Sequence, residues 1–195
     1  IEYGTYPFVT SSSPTTSGAA LGSGIAPAKI SEVIGVTKAY LTRVGSGPFP
    51  TELKDDIGEI IRERGQEFGT TTGRPRRCGW LDLVMFELSN RICGFTSLAI
   101  MKLDILSDME EVKVCVSYKD KNGLEVNNFP SSLSYLAECT PVYKTFPGWS
   151  SSGIDISKGI IPNEMKNLLN FVSGTLKLPI SIVSLGPGRD ETIIF

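Results

Sequence analysis

The chain has 195 residues, of which 41% are hydrophobic and 21% charged, the balance of an ordinary globular domain with room for a substantial core. Its formal charge of −2 gives no global attraction to nucleic acid or acidic membranes, and no apolar run is long enough to span a bilayer. It contains no histidine, so the commonest general acid/base is unavailable to it.

The chain opens on Ile1-Glu-Tyr-Gly, with neither an initiator methionine nor a signal-peptide pattern, and runs straight into sequence with the character of a folded domain. That is the expectation for a fragment of a longer protein. Residues 8–24 are rich in Ser, Thr and Gly and suit either a flexible linker or a hydroxyl-lined ligand loop. Pro27 then starts an expected helix, because Ile30, Val33, Ile34, Thr37 and Leu41 recur at helical spacing. Gly45-Ser-Gly-Pro-Phe-Pro50 ends it. Thr51 is the expected N-cap of a second helix running through Leu53, Ile57, Ile60 and Ile61 to Arg64, closed by Gly65. Trp80, Leu83, Val84, Glu87 and Leu88 predict a third helix.

Strands are expected over 95–103 and 111–118, the second because Val112, Val114 and Val116 alternate with Lys113, Cys115 and Ser117. Asp120-Lys-Asn-Gly123 predicts a hairpin turn with 124–129 as its return strand. A short strand follows at 142–146. Asn163 is placed to cap a helix carrying Met165, Leu168, Leu169 and Val172, and 179–184 and 192–195 close the chain as strands. The expected class is therefore α/β, with a mixed sheet flanked by helices.

The most informative stretch is Glu67-Phe-Gly-Thr-Thr-Thr-Gly-Arg-Pro-Arg-Arg-Cys-Gly-Trp80. Glycine admits close approach of backbone N–H groups, threonine hydroxyls donate and accept, and Arg74, Arg76 and Arg77 offer planar forks that match carboxylate and phosphate oxygens. Such a loop is suited to holding a small dicarboxylate or a nucleotide phosphate; the alternative is a solvated basic loop. Nucleic acid is disfavoured, since aromatics are not interleaved with the basic residues.

Lys102 and Asp104 follow an apolar strand and would point the same way from an extended backbone. The pair suits guanine, because a carboxylate can accept from both the ring N–H and the exocyclic amine, while the lysine stem lies on the base. The alternative is an exposed ion pair. Ser184-Leu-Gly-Pro-Gly-Arg189 could present backbone groups to a base or ribose, or be an ordinary tight turn. The runs at 54–56 and 108–111 read as solvated faces. Cys78, Cys93, Cys115 and Cys139 fit no zinc or CxxC spacing and are expected as reduced thiols in a cytosol-like compartment.

Together and in order, several segments resemble adenylosuccinate synthetase. They are Tyr6-Pro-Phe-Val-Thr-Ser-Ser12, Thr42-Arg-Val-Gly45, Gly47-Pro-Phe-Pro-Thr-Glu52, Glu67-Phe-Gly through Gly79-Trp-Leu-Asp82, Lys102-Leu-Asp104, Pro147-Gly-Trp149 and Gly186-Pro-Gly-Arg189. The likeness is to the C-terminal part of the family and covers residues 1–195, so it implies the substrate- and guanine-binding part of a larger P-loop-like GTP-dependent ligase fold. The family joins IMP and L-aspartate to form adenylosuccinate in purine nucleotide synthesis, using GTP and Mg²⁺, as a cytoplasmic homodimer (plastidic in some plants).

The resemblance implies that Thr10 and Arg74 contact IMP. It also implies that Thr70, Thr71, Thr72, Gly73, Arg74, Pro75 and Arg76 bind L-aspartate, and that Arg76, Lys102, Leu103, Asp104, Ser184, Leu185 and Gly186 bind GTP. Pro75 departs from a basic residue found in many members, and Ser13-Pro14 from an Asn-Thr pair. The family's phosphate loop, catalytic Asp and His and metal ligands are expected N-terminal to Ile1, so the fragment alone is expected to be inactive. The alternative is a non-catalytic nucleotide-binding or protein-interaction module that kept these loops.

Overall fold

In the computed structural model, which describes residues 4–9 and 12–195, two mixed sheets share one core. The strands are β1 (Ile34–Lys38), β2 (Tyr40–Arg43), β3 (Arg77–Asp82), β4 (Ser97–Met101), β5 (Glu111–Lys119), β6 (Glu125–Val126), β7 (Thr140–Pro147), β8 (Ile180–Ser184) and β9 (Thr192–Ile194). The helices are α1 (Thr16–Ser23), α2 (Asp56–Arg64), α3 (Leu83–Cys93), α4 (Leu133–Glu138) and α5 (Asn163–Leu176).

The first sheet runs β1-β4-β8-β9, with β1, β4 and β8 parallel and β9 antiparallel to β8. Lys38 pairs with Met101, and Ile100 with Val183, so the carboxyl ends of all three parallel strands lie level. In the second sheet β3 pairs antiparallel with β2 and parallel with β5, and β5 pairs antiparallel with β6 and β7. The chain passes from one sheet to the other at Ala39, whose N–H donates to Met101 O at 2.8 Å.

The expected helix over 27–41 is replaced by a single 3₁₀ turn (Pro27–Lys29) followed by β1 and β2. Val33, Ile34, Val36 and Thr37 are β-branched, stiff against a helical turn and well suited to a pleated surface, and pairing with β4 decides the matter. Helix α2 starts at Asp56, not near Thr51: Asp55 is the N-cap and accepts from Gly58 N at 3.1 Å, so part of the run at 54–56 is structural. Trp80 lies in β3, and α3 begins only after Asp82, which accepts from Met85 N at 3.2 Å.

In β5 the alternation holds as far as Val114 and then breaks. A register shift between Cys115 and Ser117 leaves Val116 half-buried and puts Cys115, Ser117 and Tyr118 inside. The inserted residue is the physical cause, and the second face of β5 is covered by a smaller cluster with Val84, Leu136 and Cys139.

Residues 16–23 form α1 and not a linker; Thr15 caps it, and Thr16 Oγ1 donates to Cys93 O at 2.7 Å on α3. The hairpin turn stands as expected, with Asp120 accepting from Asn122 N and Leu124 N at 2.8 and 2.9 Å, but its return strand is only Glu125–Val126. Helix α5 buries Met165, Leu168, Leu169, Val172 and Leu176 as its spacing requires; Asn163 is its first residue and makes no side-chain cap.

Leu98 is fully buried on β4, between β1 and β8. Truncation to alanine removes its transfer energy and leaves a cavity. Leu98→Ala is expected to cost roughly 2–5 kcal/mol, measured as a lowered urea midpoint at unchanged slope.

Candidate functional site

The segment 67–76 is a narrow two-sided loop. Arg76 N donates to Glu67 O at 2.9 Å, Gly69 N to Arg74 O at 2.8 Å and Gly73 N to Gly69 O at 2.8 Å. Gly73 turns the tip with φ of +63°, a conformation glycine adopts without penalty. The stem is thus fixed by its backbone, while Thr70, Thr71, Thr72, Gly73, Arg74 and Pro75 are exposed. Arg76 is half-buried at the base of the loop.

The consecutive residues Arg76 and Arg77 part company. Arg77 Nε and Nη2 form a two-pronged pair with Glu52 at 2.6 and 2.7 Å, and Nη1 donates to Gly45 O and Gly47 O. Its fork is consumed by the fold and is unavailable to a ligand. Arg76 turns the other way, onto Glu67.

Glu67 is fully buried and is the centre of the site. Its Oε1 accepts from Tyr40 Oη at 2.7 Å, Lys38 Nζ at 2.8 Å and Lys102 Nζ at 3.0 Å, and its Oε2 from Arg76 Nη1 at 2.8 Å. Burial alone would raise its pKa, but these four donors outweigh that cost and hold it down to about 2. Three cations surround one carboxylate, so the cluster keeps an excess positive charge. Burial lowers the pKa of Lys38, the Glu67 bond opposes this, and the neighbouring Lys102 and Arg76 add to the lowering.

Lys102 reaches this cluster because its backbone is left-handed, with φ of +62°. The strand ends at Met101 and Asp104 opens a 3₁₀ turn, so Lys102 and Asp104 are not on an extended backbone as the sequence suggested. Nor do they pair with each other: Lys102 Nζ bonds Gly65 O at 2.6 Å and Glu67. Asp104 Oδ1 is buried with no hydrogen-bond partner. Burial raises the Asp104 pKa, and the nearby Glu191 charge adds to the rise.

The two strand ends meet where Leu103 N donates to Ser184 O at 3.4 Å. Ser184 Oγ bonds Gly186 O at 3.0 Å, and Leu185 N bonds Glu191 O at 2.9 Å. Glu191 folds back beneath the turn and accepts from Gly188 N. A Cβ at Gly186 would meet that carboxylate, so a larger residue there would have to push the Glu191 side chain out from under the turn.

The fold therefore brings Arg76, Lys102, Leu103, Asp104, Ser184, Leu185 and Gly186 to one end of the first sheet. Arg74 sits nearby in sequence at the loop tip, without a side-chain contact to the Glu67 cluster. Thr10 lies outside the described residues. A cavity of about 590 Å³ lies apart from these loops, lined by Thr5, Thr15, Ile34, Val36, Phe86 and Phe95 among others.

Glu67, Lys38 and Tyr40 were not expected in the site. The β-branched run before Lys38 was the available signal: read as a strand, it would have put Lys38 and Tyr40 at a strand end. Among the described residues no group of three or more acidic, Cys or His side chains could hold a metal ion, and no helix is long and apolar enough to cross a membrane.

The parallel strands, the helices packed on them and the loops gathered outside the strands' carboxyl ends place the chain in the α/β class, whose open sheets take ligands in that position. Its relatives make the assignment specific. The family model described as adenylosuccinate synthetase matches residues 1–193, and the chain belongs to that family. It is 52% identical over 195 residues to the adenylosuccinate synthetase of Thermodesulfovibrio yellowstonii, covering 100% of this chain and 46% of that protein. It is 53% identical to that of Synechococcus sp. (strain JA-2-3B'a(2-13)), covering 100% and 43%.

The structure of fully ligated adenylosuccinate synthetase from Plasmodium falciparum matches with a TM-score of 0.91 and 43% identity, over 100% of this chain and 47% of that one. The succinoaminodeoxyadenylate synthetase of cyanophage S-2L shares the fold at a TM-score of 0.58 and 16% identity. The chain thus spans less than half the length of these relatives.

The Glu67 cluster has a pH signature. A carboxylate whose folded pKa of about 2 lies below its ordinary 4.5 contributes in full above the higher value and loses the contribution as pH falls through the lower. The shift corresponds to on the order of 3 kcal/mol. Urea unfolding from pH 7 to pH 2 is expected to show this loss, and Glu67→Gln is expected to be less stable at pH 7 with a flatter acid limb.

Proposed function

We propose that this chain is the C-terminal, substrate- and guanine-binding part of a GTP-dependent ligase that joins IMP to L-aspartate, giving adenylosuccinate, GDP and phosphate. The observation that supports this most directly is the buried, unpartnered Asp104 Oδ1 beside the Ser184–Gly186 turn. A buried acceptor without a donor is costly, and a guanine ring N–H and amine would satisfy it. Leu103, Ser184, Leu185 and Gly186 frame the base, and the half-buried Lys102 stem lies alongside. The excess positive charge around Glu67 suits the anionic groups of the substrates.

In this reading the threonine–arginine tip (Thr70, Thr71, Thr72, Gly73, Arg74, Pro75, Arg76) holds the aspartate carboxylates. Arg74 and Thr10 reach IMP, and Arg76 reaches GTP. The 6-oxygen of IMP attacks the γ-phosphate of GTP, forming 6-phosphoryl-IMP and releasing GDP. The aspartate amine then displaces phosphate. An oxygen on a purine ring leaves poorly until it is phosphorylated. Charge that builds on phosphoryl oxygens is stabilised by preorganised cations, and this chain's share of that work is to orient substrates and to supply Arg74 and Arg76.

The described residues do not fit Mg²⁺, which together with the acid/base groups belongs to the rest of the enzyme, so no step here runs through it. The working protein is a homodimer in the cytoplasm, or in a plastid where a transit peptide precedes the chain.

In the complete enzyme, Asp104→Asn is expected to weaken GTP use and favour xanthosine triphosphate, whose 2-oxygen can accept from the asparagine amide. A lost charge-assisted contact costs about 1.5–3 kcal/mol, roughly one to two powers of ten, read as the ratio of kcat/KM for the two nucleotides. Unchanged preference would remove Asp104 from the base site. Arg74→Leu is expected to raise KM for aspartate and IMP or lower kcat by at least about ten-fold; wild-type constants would return the loop to a solvated surface.

A further inference from the structure

We propose that Glu67 is a positioning residue that couples the aspartate loop to the nucleotide site, its buried carboxylate bridging Arg76 to Lys102 so that filling one site orders the other. The proposal rests on the reading above.

The bridge is drawn from separate segments. Arg76 comes from the base of the threonine–arginine loop, Lys102 from the turn after β4, Lys38 from the end of β1 and Tyr40 from the start of β2. The two carboxylate oxygens are divided between segments: Oε2 takes Arg76 from the base of the loop, while Oε1 takes Lys102 from the turn after β4, with Lys38 and Tyr40. Glu67 is fully buried beneath its own donors, so a donor that leaves removes part of what shields the carboxylate. A shift of Arg76 toward a ligand therefore moves the carboxylate with it or gives up the bond to Oε2.

Both cations also have reason to move. Arg76 Nε is buried without a partner. Lys102 occupies a left-handed backbone conformation that non-glycine residues rarely adopt. Each is partly exposed, at 32% and 39% of its side chain, whereas Glu67 is at 0%. The bridge thus has a buried centre and two ends open to ligands. A single lysine would neutralise a structural glutamate; three cations and a hydroxyl leave positive charge that an anion bound at either end would share through the common carboxylate.

The test uses the full-length enzyme with IMP saturating, and calorimetric binding of a non-hydrolysable GTP analogue with and without L-aspartate. In the unaltered protein aspartate is expected to tighten analogue binding by about five-fold or more. In Glu67→Gln this enhancement is expected to fall to about one while each ligand still binds alone. No enhancement in the unaltered protein, or the same enhancement in Glu67→Gln, overturns the proposal. Failure of the unaltered enzyme to bind either ligand overturns the assignment of the sites instead. Should Glu67→Gln not fold, Glu67→Asp, which keeps the charge but draws the carboxylate back, serves in the same measurement: an enhancement reduced by about two-fold or more supports the bridge, and an unchanged enhancement overturns it.

Discussion

The buried carboxylate of Glu67 is the constraint on which this end of the molecule depends. A charge removed from water is tolerable only when hydrogen-bonded and paired, and Glu67 meets that condition through Lys38, Tyr40, Arg76 and Lys102. Those four donors come from three parts of the chain: the crossing from β1 to β2, the base of the arginine loop and the turn after β4. Conversely, three cations so close together would repel one another without it. Carboxylate and cations are each the condition for the other, and what remains is a partly exposed, positively charged patch at the carboxyl ends of parallel strands.

The remainder of the architecture serves to deliver those groups. The change of sheet at Ala39 puts Lys38 at the end of β1 and Tyr40 at the start of β2, close enough to share one oxygen of Glu67. The level ends of β4 and β8 bring Leu103 to Ser184, and the carboxylate of Glu191 packed under Gly186 and Gly188 holds the last turn in shape. The extended stem of the arginine loop separates neighbouring arginines, since successive side chains on extended backbone point to opposite sides. Arg77 locks to Glu52 as part of the fold, and Arg76 faces the charged cluster.

Much of this was legible in the sequence because the relevant signals are local. Asp120-Lys-Asn-Gly123 carries its own turn chemistry, and α5 repeats Met165, Leu168, Leu169 and Val172 on one face. The exposed loop tip at Thr70–Pro75 could be anticipated from glycine, threonine and arginine content alone. Three things were not legible. The stretch from Val33 to Leu41 has apolar residues at both helical and strand spacing, and only pairing with β4 separates the two. Val116 was misplaced because a bulge, invisible in composition, shifts the period of β5. Helix α1 was hidden by its serines, threonines and glycines, which are poor helix formers held here by the Thr15 cap and contact with α3.

The sequence by itself determined the α/β class, the loop of threonines and arginines, and the two strand-end turns, because residue type and short-range spacing are enough to specify turn chemistry and donor forks. Only the tertiary structure decided how the three arginines divide between the fold, the charged cluster and the exposed loop, that Lys102 and Asp104 serve different neighbours, and that Glu67 gathers Lys38, Tyr40, Arg76 and Lys102 at the strand ends. Those outcomes depend on contacts between residues tens of positions apart, and on the cost of burying one charge, which no local pattern encodes.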